Sequence, residues 1–576
     1  MEAKHSFLYD HEECRVRENK IAYFSMEICI DSKIPTYSGG LGILAGDTIR
    51  SAADLGVPLI AMTLLYKKGY LRQNIDEQGL QHEFPDEWNP QDELAKLPVQ
   101  IQVEIEKRKV TVQCWLYVVK GIDGSKVPVY FLDTDLPENS DFDRSLSYYL
   151  YGGDDRYRLA QEIVLGIGGV RMLKELGFQD ILRYHMNEGH ASLLALELLN
   201  NFYDPQKNDQ WDIEQVKKRC VFTTHTPVPA GMDQFSYQLA GQVLGDFIPY
   251  NLLKSLAGNE KLNMTQLALN LSHYVNGVAK EHGAVSREMF PGYHIYYITN
   301  GVHSSTWTGQ YFAELYDKYI PGWKSDPFSL RYALNIPDRE VWNAHQKGKE
   351  ELIDHINKLT SLEFDKEVLT IGFARRATAY KRADLILYDL NRLIDISRKK
   401  GQIQLVFAGK AHPKDQPGKE LIQKIISASR HSPLKENIKT VYLENYNMDL
   451  GKILTCGVDL WLNTPRKPQE ASGTSGMKAA HNGIPSFSIL DGWWVEGCIE
   501  GITGWSIGSA ANVESNEEEE AESLYKKLEI DILPAYYQKR KQWINMMRHC
   551  IAINASFFNT HRMVLQYVSN AYLYSK

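Results

Sequence analysis

Residues 458–463 read VDLWLN and residues 470–478 read EASGTSGMK, so a buried-looking strand is followed by a loop of small residues that ends in a lysine. Glycines let backbone N–H groups approach a phosphate or sugar oxygen closely, and a helix after the loop would add the positive end of its dipole. Lys478 would supply an amine at the edge of such an anion site. The composition of the loop is equally compatible with a flexible connector that carries a solvated lysine.

The rest of the chain repeats this strand-to-helix style. Short apolar runs alternate with longer helical patterns, which is typical of parallel sheets wound with helices. The predicted strands cover residues 57–65, 127–132, 181–186, 220–224, 294–298, 368–373, 403–408, 440–443, 458–462 and 486–490. We therefore predict an α/β protein with two facing, doubly wound, Rossmann-like domains and a cleft between them. The predicted domains span residues 1–305 and 306–550, and a C-terminal helix at 551–576 packs back on the first domain.

Length and composition limit the kind of protein. A chain of 576 residues exceeds one hydrophobic core, and its net charge of −8 argues against general binding of nucleic acid or anionic membranes. No window of about twenty apolar residues occurs, which excludes a membrane span. Seven dispersed cysteines without close pairs are typical of reduced thiols, so neither disulfides nor a metal site is predicted. Together with the absence of a leader-like start, this predicts a cytoplasmic protein.

Polar residues recur where the predicted strands end. In wound α/β sheets ligands bind beyond the carboxyl ends of the strands. The residues at these points are Asn187, Glu188, His190, His225, Asn300, Arg375, Arg376, Lys410 and Glu444. One such residue is more simply a cap or a turn residue. Their recurrence predicts a single composite cleft.

A basic cluster and a glycine loop predict anion binding in that cleft. Arg375, Arg376, Lys381 and Arg382 follow directly on a strand, and arginine offers a planar fork that matches phosphate oxygens. A basic helix face on the surface is the alternative. Residues 37–47, YSGGLGILAGD, form a second glycine loop that enters a helix; it has neither dinucleotide nor P-loop spacing. The acidic run at 517–520 is predicted to be a solvated loop or helix start.

The 470–478 stretch, with AAHNG at 479–483 and DGWWVE at 491–496, resembles the signature of the α-glucan (glycogen, starch, maltodextrin) phosphorylases. The resemblance extends from about Tyr23 to Gly504. It implies a glycosyltransferase-type enzyme of GT-B architecture that carries out reversible, retaining phosphorolysis of α-1,4-glucan ends by inorganic phosphate, yielding α-D-glucose 1-phosphate. It also implies pyridoxal 5′-phosphate, held by Lys478 as a Schiff base, whose phosphate group exchanges the proton. Family members often form homodimers, although the sequence itself shows no interface signal.

The resemblance assigns roles to individual residues. The implied cofactor-binding residues are Lys478, Gly40, Arg375, Thr474, Ser475 and Tyr446. The implied ligands of the substrate phosphate are Gly39, Arg376 and Lys381, and the implied catalytic residues are Lys478, Arg376, Lys381 and His225. The implied glucan-binding residues are Leu41, Glu188, His190, His225, Asn300, Tyr380, Glu470, Ser472, Gly473 and Asp154.

The implied chemistry is physically coherent. Retaining cleavage of a glucosidic bond normally uses two carboxyl groups. Here phosphate can both protonate the leaving oxygen and attack the sugar, because its second ionisation lies near pH 6. Two adjacent phosphates repel each other, so Arg376 and Lys381 must compensate that charge.

Departures from the family pattern affect the expected regulation. The segment before the glycine loop is short, which predicts a form without the allosteric and phosphorylation control of larger relatives. The loop after Asp154 is shortened, Thr378 replaces a usual histidine, and Ser38 replaces a usual asparagine.

Three other functions remain as alternatives. A nucleotide-sugar-dependent glucan synthase would share the fold and a glycine loop, but it would have no reason to place a lysine behind the 470–476 loop. A glucan-binding protein without catalysis would not need Lys478, Arg376 and Lys381. An ordinary aminotransferase would need an aspartate partner for the pyridine nitrogen near Lys478, and none is recognisable.

Overall fold

The computed structural model describes residues 20–206, 210–228, 231–511 and 513–573. It is a mixed α/β structure with two large, mainly parallel sheets and two small two-stranded sheets. The strands are β1 (Lys20–Ser25), β2 (Leu59–Leu64), β3 (Arg72–Ile75), β4 (Gln81–Phe84), β5 (Ala95–Ile105), β6 (Arg108–Lys120), β7 (Lys126–Asp133), β8 (Ile181–Asn187), β9 (Cys220–Thr223), β10 (Gln234–Ser236), β11 (Lys261–Asn263), β12 (Tyr274–Gly277), β13 (Tyr296–Tyr297), β14 (Leu369–Ala374), β15 (Ile403–Ala408), β16 (Lys439–Leu443), β17 (Leu460–Asn463), β18 (Ser486–Ile489) and β19 (Gly504–Ile507).

Helices cover the faces of both sheets. Those in the first half are α1 (Gly40–Asp54), α2 (Pro90–Glu93), α3 (Asp141–Ser145), α4 (Asp155–Ile163), α5 (Gly169–Glu175), α6 (Leu193–Asn201), α7 (Ile213–Arg219), α8 (Tyr237–Val243), α9 (Tyr250–Ala257), α10 (Met264–Asn270), α11 (Lys280–Met289) and α12 (Ser304–Trp307). Those in the second half are α13 (Gln310–Tyr319), α14 (Asp338–Leu359), α15 (Leu390–Lys400), α16 (Gln416–Arg430), α17 (Leu434–Asn437), α18 (Met448–Gly457), α19 (Ser475–Ala480), α20 (Trp494–Gly497), α21 (Glu517–Lys527), α22 (Leu533–Gln538), α23 (Arg540–His549) and α24 (Thr560–Tyr567). No helix in the described ranges has the length and apolar character needed to cross a membrane.

The first sheet has nine strands in the order β13-β12-β9-β8-β1-β2-β7-β6-β5. Strands β13 to β7 run parallel, whereas β6 and β5 add an antiparallel edge. The chain winds from β1 through β2 towards one edge and then returns to β8 on the other side of β1. The strand order therefore reverses between β1 and β8, and such a reversal opens a crevice at the carboxyl ends of the strands.

The second sheet has six parallel strands in the order β16-β15-β14-β17-β18-β19. Its strand order reverses between β14 and β17, because β15 and β16 extend on one side of β14 and β17 to β19 on the other. The residues that follow β14 and β17 therefore meet at one crevice. These are Arg375 and the loop that leads into α19.

Both the wound α/β class and the parallel sheets are confirmed. The strand predicted at 403–408 coincides with β15, and the one at 294–298 shrinks to the two residues of β13. Sequence reasoning missed β5, whose alternating pattern of buried and exposed residues is typical of a sheet edge rather than of a buried parallel strand.

Contacts join the two halves of the chain at the carboxyl ends of the second sheet. The β3–β4 hairpin supplies two of them: Gln73 Nε2 donates to Gly409 O at 2.9 Å, and Gln81 Nε2 donates to Ala411 O at 3.0 Å. Because both donors come from the first half and both acceptors follow β15, the hairpin covers one side of the crevice.

The C-terminal helix α24 packs against the first sheet. Val564 and Tyr567 belong to the same buried cluster as Tyr23 of β1 and Ala61 of β2. The Tyr572 hydroxyl lies 2.7 Å from His185 Nδ1 on β8. The last described residues therefore complete a core whose other members precede residue 300.

The acidic run at 517–520 is a helix start, as predicted, but its last residue is not solvated. Its first three glutamates are exposed at the start of α21, but Glu520 is buried. Glu520 Oε2 lies 2.7 Å from Arg382 Nη2, so this carboxylate neutralises a buried guanidinium. Arg382 also donates to the carbonyls of Thr464 and Pro465.

Candidate functional site

The loop between β17 and α19 folds back on the turn after β18. The loop needs glycine at Gly473, which has a φ of +81° and faces the Glu470 side chain. The turn after β18 needs glycine at Gly492, where a Cβ would lie 2.5 Å from the Ser472 carbonyl oxygen. That same oxygen accepts the Trp493 N–H at 2.9 Å. These contacts fix the position of Glu470.

Glu470 forms ion pairs with Arg375 and Lys381, two cations that follow β14. Its Oε2 accepts from Arg375 Nη2 at 2.6 Å and from Lys381 Nζ at 2.5 Å. Burial disfavours the carboxylate, but the two cations hold the pKa of Glu470 below its usual value. Two positive groups on one oxygen form a preformed site at which another anion could bind.

Asp491 supports this arrangement from the next strand. Its carboxylate accepts the Glu470 N–H at 2.9 Å and the Gly492 N–H at 2.8 Å. Burial raises the pKa of Asp491 to about 7. The carboxyl group that holds the Glu470 loop therefore titrates near neutral pH.

The predicted basic cluster divides into three kinds of residue. Arg375 and Lys381 lie on Glu470, whereas Arg376 is exposed and forms no hydrogen bond within the described ranges. Arg382 is not available to a ligand, because its buried guanidinium pairs with Glu520. The prediction that all four bind phosphate is wrong for Arg382.

Tyr380 and Thr378 lie beside the basic cluster. Tyr380 is half-buried, and Lys381 Nζ lies 4.4 Å from the centroid of its ring. Thr378 is also half-buried, and its carbonyl oxygen accepts the Lys381 N–H at 3.0 Å.

Lys478 lies on α19 and is buried, with 6% of its surface exposed. Its Nζ lies 3.5 Å from the centroid of the Trp307 ring. The indole N–H of Trp307 donates to Asp47 Oδ2 at 2.7 Å, which fixes the ring below the amine. Burial lowers the pKa of Lys478 to about 8. The lowered pKa makes the unprotonated amine, which is the state that attacks a carbonyl carbon, easier to reach near neutral pH.

The remaining residues with an implied role near this loop are Ser472, Thr474, Ser475 and Tyr446. Ser475 Oγ accepts from Trp461 Nε1 at 3.1 Å, whereas the buried Ser472 Oγ has no hydrogen-bond partner among the described residues. Thr474 directly precedes α19. Tyr446 is half-buried, and burial raises its pKa to about 12, with Arg375 opposing the shift.

The first glycine loop leads directly into α1, as predicted. The helix begins at Gly40, and a Cβ at Gly39 or Gly40 would meet no atom within 4 Å. The Gly39 N–H donates to Glu27 Oε2 at 3.1 Å, and the Ser38 N–H donates to the same oxygen at 2.6 Å. Leu41 is half-buried in the first turn of the helix. The space in front of Gly40 is therefore open, while Glu27 occupies the Gly39 donor.

Polar residues at the ends of β8 and β9 form a connected group. His225 Nε2 lies 2.7 Å from Asn187 Oδ1, and its N–H donates to Glu188 Oε2 at 2.7 Å. Burial lowers the pKa of His225 to about 3, so its imidazole is neutral. Burial also raises the pKa of Glu188, which has a φ of +76°. A strained backbone of this kind at a strand end is typical of functional positions.

Three further predicted residues have different surroundings. Asn300 is buried, and its Oδ1 has no hydrogen-bond partner in the described structure. His190 Nε2 lies 3.3 Å from both Asp233 Oδ2 and Arg158 Nη2. Asp154 is exposed and caps α4, where its carboxylate accepts the Tyr157 N–H at 3.0 Å.

Sequence reasoning did not assign a role to Glu27, Asp47, Trp307 or Asp491, which lie near the two glycine loops or near Lys478. Glu27 and Asp491 each lie two residues beyond a strand, β1 and β18, so the strand-end rule could have found them. Asp47 and Trp307 lie within helices, and only the tertiary fold brings Trp307 against Lys478 and Asp47 against the Trp307 indole. No local signal marks them.

Comparison with known proteins identifies the family of this chain. A profile of the Phosphorylase family, described as carbohydrate phosphorylase, matches residues 249–504. The chain is 40% identical to a maltodextrin phosphorylase of Thermococcus litoralis, over 96% of this chain and 70% of that protein. The chain belongs to the carbohydrate phosphorylase family. Among carbohydrate phosphorylases it is also 35% identical to a glycogen phosphorylase of Aquifex aeolicus, over 96% of this chain and 86% of the relative. An uncharacterised protein of Methanocaldococcus jannaschii is 33% identical over 96% of this chain and 99% of its own length.

Proposed function

We propose that this carbohydrate phosphorylase is an α-1,4-glucan phosphorylase. It uses inorganic phosphate to release α-D-glucose 1-phosphate, reversibly and with retention, from the non-reducing end of glycogen, starch or maltodextrin. One observation carries the proposal: a buried lysine lies on the helix directly after a loop whose glutamate binds two cations. The names of the relatives, which are maltodextrin and glycogen phosphorylases, support the substrate class.

The residues around Lys478 fit pyridoxal 5′-phosphate. The amine has a lowered pKa, and the indole of Trp307 lies against it. The Ser472 hydroxyl has no partner among the described residues, so it can donate to a phosphate. The open space before Gly40 leaves room for one. We infer that Lys478 would hold the cofactor aldehyde, and that backbone N–H groups of Gly40, Thr474 and Ser475 with Arg375 would hold its phosphate. When bound, the cofactor supplies a phosphate group that can exchange a proton with the substrate phosphate.

Lys381 and Arg376 would bind the substrate phosphate. Lys381 lies on Glu470 in this structure, and Arg376 is exposed without a protein partner within the described ranges. Both groups can therefore turn to a dianion with little rearrangement. Two cations beside two phosphates offset their mutual repulsion and keep a shared proton between them.

The glucose ring would lie between Glu470 and the ends of β8 and β9. The neutral His225 can donate to a sugar hydroxyl or accept from one, and Asn300 has an unused buried oxygen that can accept from another. Tyr380, Glu188 and the backbone of Ser472 and Gly473 line the same region in this proposal. His190 and Asp154 would contact the glucan further out.

We also propose the finer architecture expected for this function. The sheets of β1–β13 and β14–β19 would form two facing domains of GT-B type with a boundary near residue 305. The contacts of α24 with the first sheet support a C-terminal segment that returns to the first domain. Six described cysteines are free, which supports a reducing, cytoplasmic environment.

The proposal is tested with purified protein and a Lys478→Ala variant. The wild-type protein should show cofactor absorbance that borohydride shifts, and phosphate-dependent release of glucose 1-phosphate from maltodextrin. The variant should lose both, whereas Lys424→Ala, which changes an exposed lysine paired with Asp384, should retain both. Wild-type protein without cofactor absorbance, or one that transfers glucose only from a nucleotide sugar, would contradict the proposal.

A further inference from the structure

Three side chains from distant parts of the sequence meet between α1, α12 and α24. Asp54 is the last residue of α1, His303 precedes α12, and His561 lies in the first turn of α24. Asp54 Oδ2 lies 2.8 Å from His303 Nε2 and 3.1 Å from His561 Nε2. The three ligand atoms all lie within 4.8 Å of one another. None of these residues belongs to the proposed glucan or phosphate site.

Neighbouring groups orient two of the three side chains. The Ile122 N–H donates to Asp54 Oδ1 at 3.0 Å, which turns Oδ2 towards the histidines. Thr306 Oγ1 lies 2.6 Å from His303 Nδ1. The Asp54, His303 and His561 side chains are each less than one-tenth exposed. Outer partners of this kind hold metal ligands in place and fix the ring nitrogen that faces the metal.

We propose that Asp54, His303 and His561 form a zinc site. Zinc binds histidine nitrogen at about 2.0–2.1 Å and carboxylate oxygen at about 2.0–2.2 Å, with tetrahedral geometry. Ligand atoms on such a tetrahedron are roughly 3.4 Å apart, so the separations of 2.8 Å and 3.1 Å from Asp54 Oδ2 need only a small expansion, and the third pair of ligand atoms lies within 4.8 Å. Two histidines and one aspartate leave a fourth position for water.

The hydrogen bonds can be exchanged for metal bonds without a change in the number of bound protons. In the present arrangement each neutral histidine can donate its Nε2 proton to Asp54 Oδ2. Zinc takes the Nε2 lone pair when that proton resides on Nδ1 instead, which is a change of tautomer without net loss of a proton. For His303 the Nδ1 proton would then donate to Thr306 Oγ1, the atom already beside it. His561 Nδ1 is buried without a partner among the described residues. After the same change of tautomer its proton would therefore have no hydrogen-bond acceptor there, which opposes metal binding by this ring.

The zinc site would tie the glycine-loop helix to the C-terminal helix. Arg562, the residue after His561, donates to the carbonyl oxygens of Thr299 and Asn300. Asn300 and His303 lie in the same short segment. A metal at this position would therefore hold the Asn300 segment, α1 and α24 together, which is a structural role.

The test uses the full-length purified protein with its cofactor, dialysed against a chelator and then titrated with Zn²⁺ or Co²⁺. Wild-type protein should bind one equivalent, and Co²⁺ should give the visible absorption of a tetrahedral site. Asp54→Asn, His303→Ala and His561→Ala should each lose that equivalent. Thr306→Val should weaken binding by about 10- to 100-fold, because it removes only the outer partner of His303. His294→Ala, an exposed histidine, should bind like wild type.

The thermal unfolding midpoint provides a second measurement. Zinc should raise it in wild type and in His294→Ala, but not in Asp54→Asn. Binding that is equal in wild type and in the three ligand variants would show adventitious zinc and overturn the proposal. An absence of Co²⁺ absorption in folded wild-type protein would also overturn it, and would leave a hydrogen-bonded cluster alone. Because the readouts are metal content, absorption and stability, their failure is independent of phosphorolysis.

Discussion

Replacement of Lys381 by methionine tests the anion site most directly. The substitution keeps much of the side-chain volume but removes the charge that lies 2.5 Å from Glu470 Oε2. Removing one partner of a buried ion pair costs about 3–5 kcal/mol of folding stability. Here Arg375 remains on the same oxygen at 2.6 Å, so the loss should be nearer that of one charged hydrogen bond, about 1.5–3 kcal/mol.

The substitution should cost more transition-state stabilisation than folding stability. If Lys381 binds the substrate phosphate, its removal takes away one preorganised positive group in the transition state. Loss of one such group typically costs about 100- to 1,000-fold in rate, which corresponds to about 2.7–4 kcal/mol. Lys381→Arg should recover part of the activity, because it retains the charge with a different shape.

The assay is the initial rate of glucose 1-phosphate release at varied phosphate concentration, with stability measured by chemical denaturation. The matched control is Lys424→Met, which removes an exposed lysine that is 2.6 Å from Asp384 Oδ2. This variant should lose at most about 1 kcal/mol and keep its activity. A folded Lys381→Met protein whose kcat/KM for phosphate stays within about threefold of wild type would refute the assignment of Lys381.

Three further predictions concern Asp491, Glu520 and the glycines of the first loop and helix. Burial raises the pKa of Asp491 from 3.8 to about 7, so the folded protein binds an extra proton between these values. Stability should therefore fall by up to about 4 kcal/mol as the pH rises from about 4 to 7, and denaturation of Asp491→Asn should lack most of this slope. Glu520→Ala leaves a buried guanidinium without its carboxylate and should lower the unfolding free energy by about 3 kcal/mol, against less than about 0.5 kcal/mol for the exposed Glu518→Ala on the same helix. Equal denaturation midpoints for these two variants would contradict the buried pair. Gly46→Ala should fail to fold, because its Cβ would lie 1.8 Å from a backbone carbonyl oxygen, whereas Gly40→Ala should fold and bind cofactor less tightly in an absorbance titration.

The sequence predicted the parallel sheets well because their strands are continuous apolar runs bounded by turn residues. It also placed Glu470 and Arg375 in one region, since loops after neighbouring parallel strands share an edge. The glycine stretch at 37–47 leads into a helix as predicted, although the helix already begins at Gly40 within that stretch.

The sequence could not predict contacts between side chains that meet only through tertiary folding. Arg382 and Arg376 look alike in the chain, yet one is buried against Glu520 and the other is exposed. Likewise, Trp307 lies 171 positions before Lys478 in the numbering, but its ring forms the surface under that amine. Partner choice at such distances follows from the packing of whole elements, which no local pattern encodes.

The packing of α24 against the first sheet affects how the protein is made. The core around β1 and β2 needs Val564 and Tyr567, which leave the ribosome long after the last strand of that sheet. At about 5–20 residues per second, the interval between Tyr297 and Tyr567 takes roughly 14–54 seconds. During this time one face of the sheet is without its covering helix, so the nascent chain presents apolar surface that chaperones can bind. Truncation near the C-terminus should therefore harm the folding of the first half of the chain.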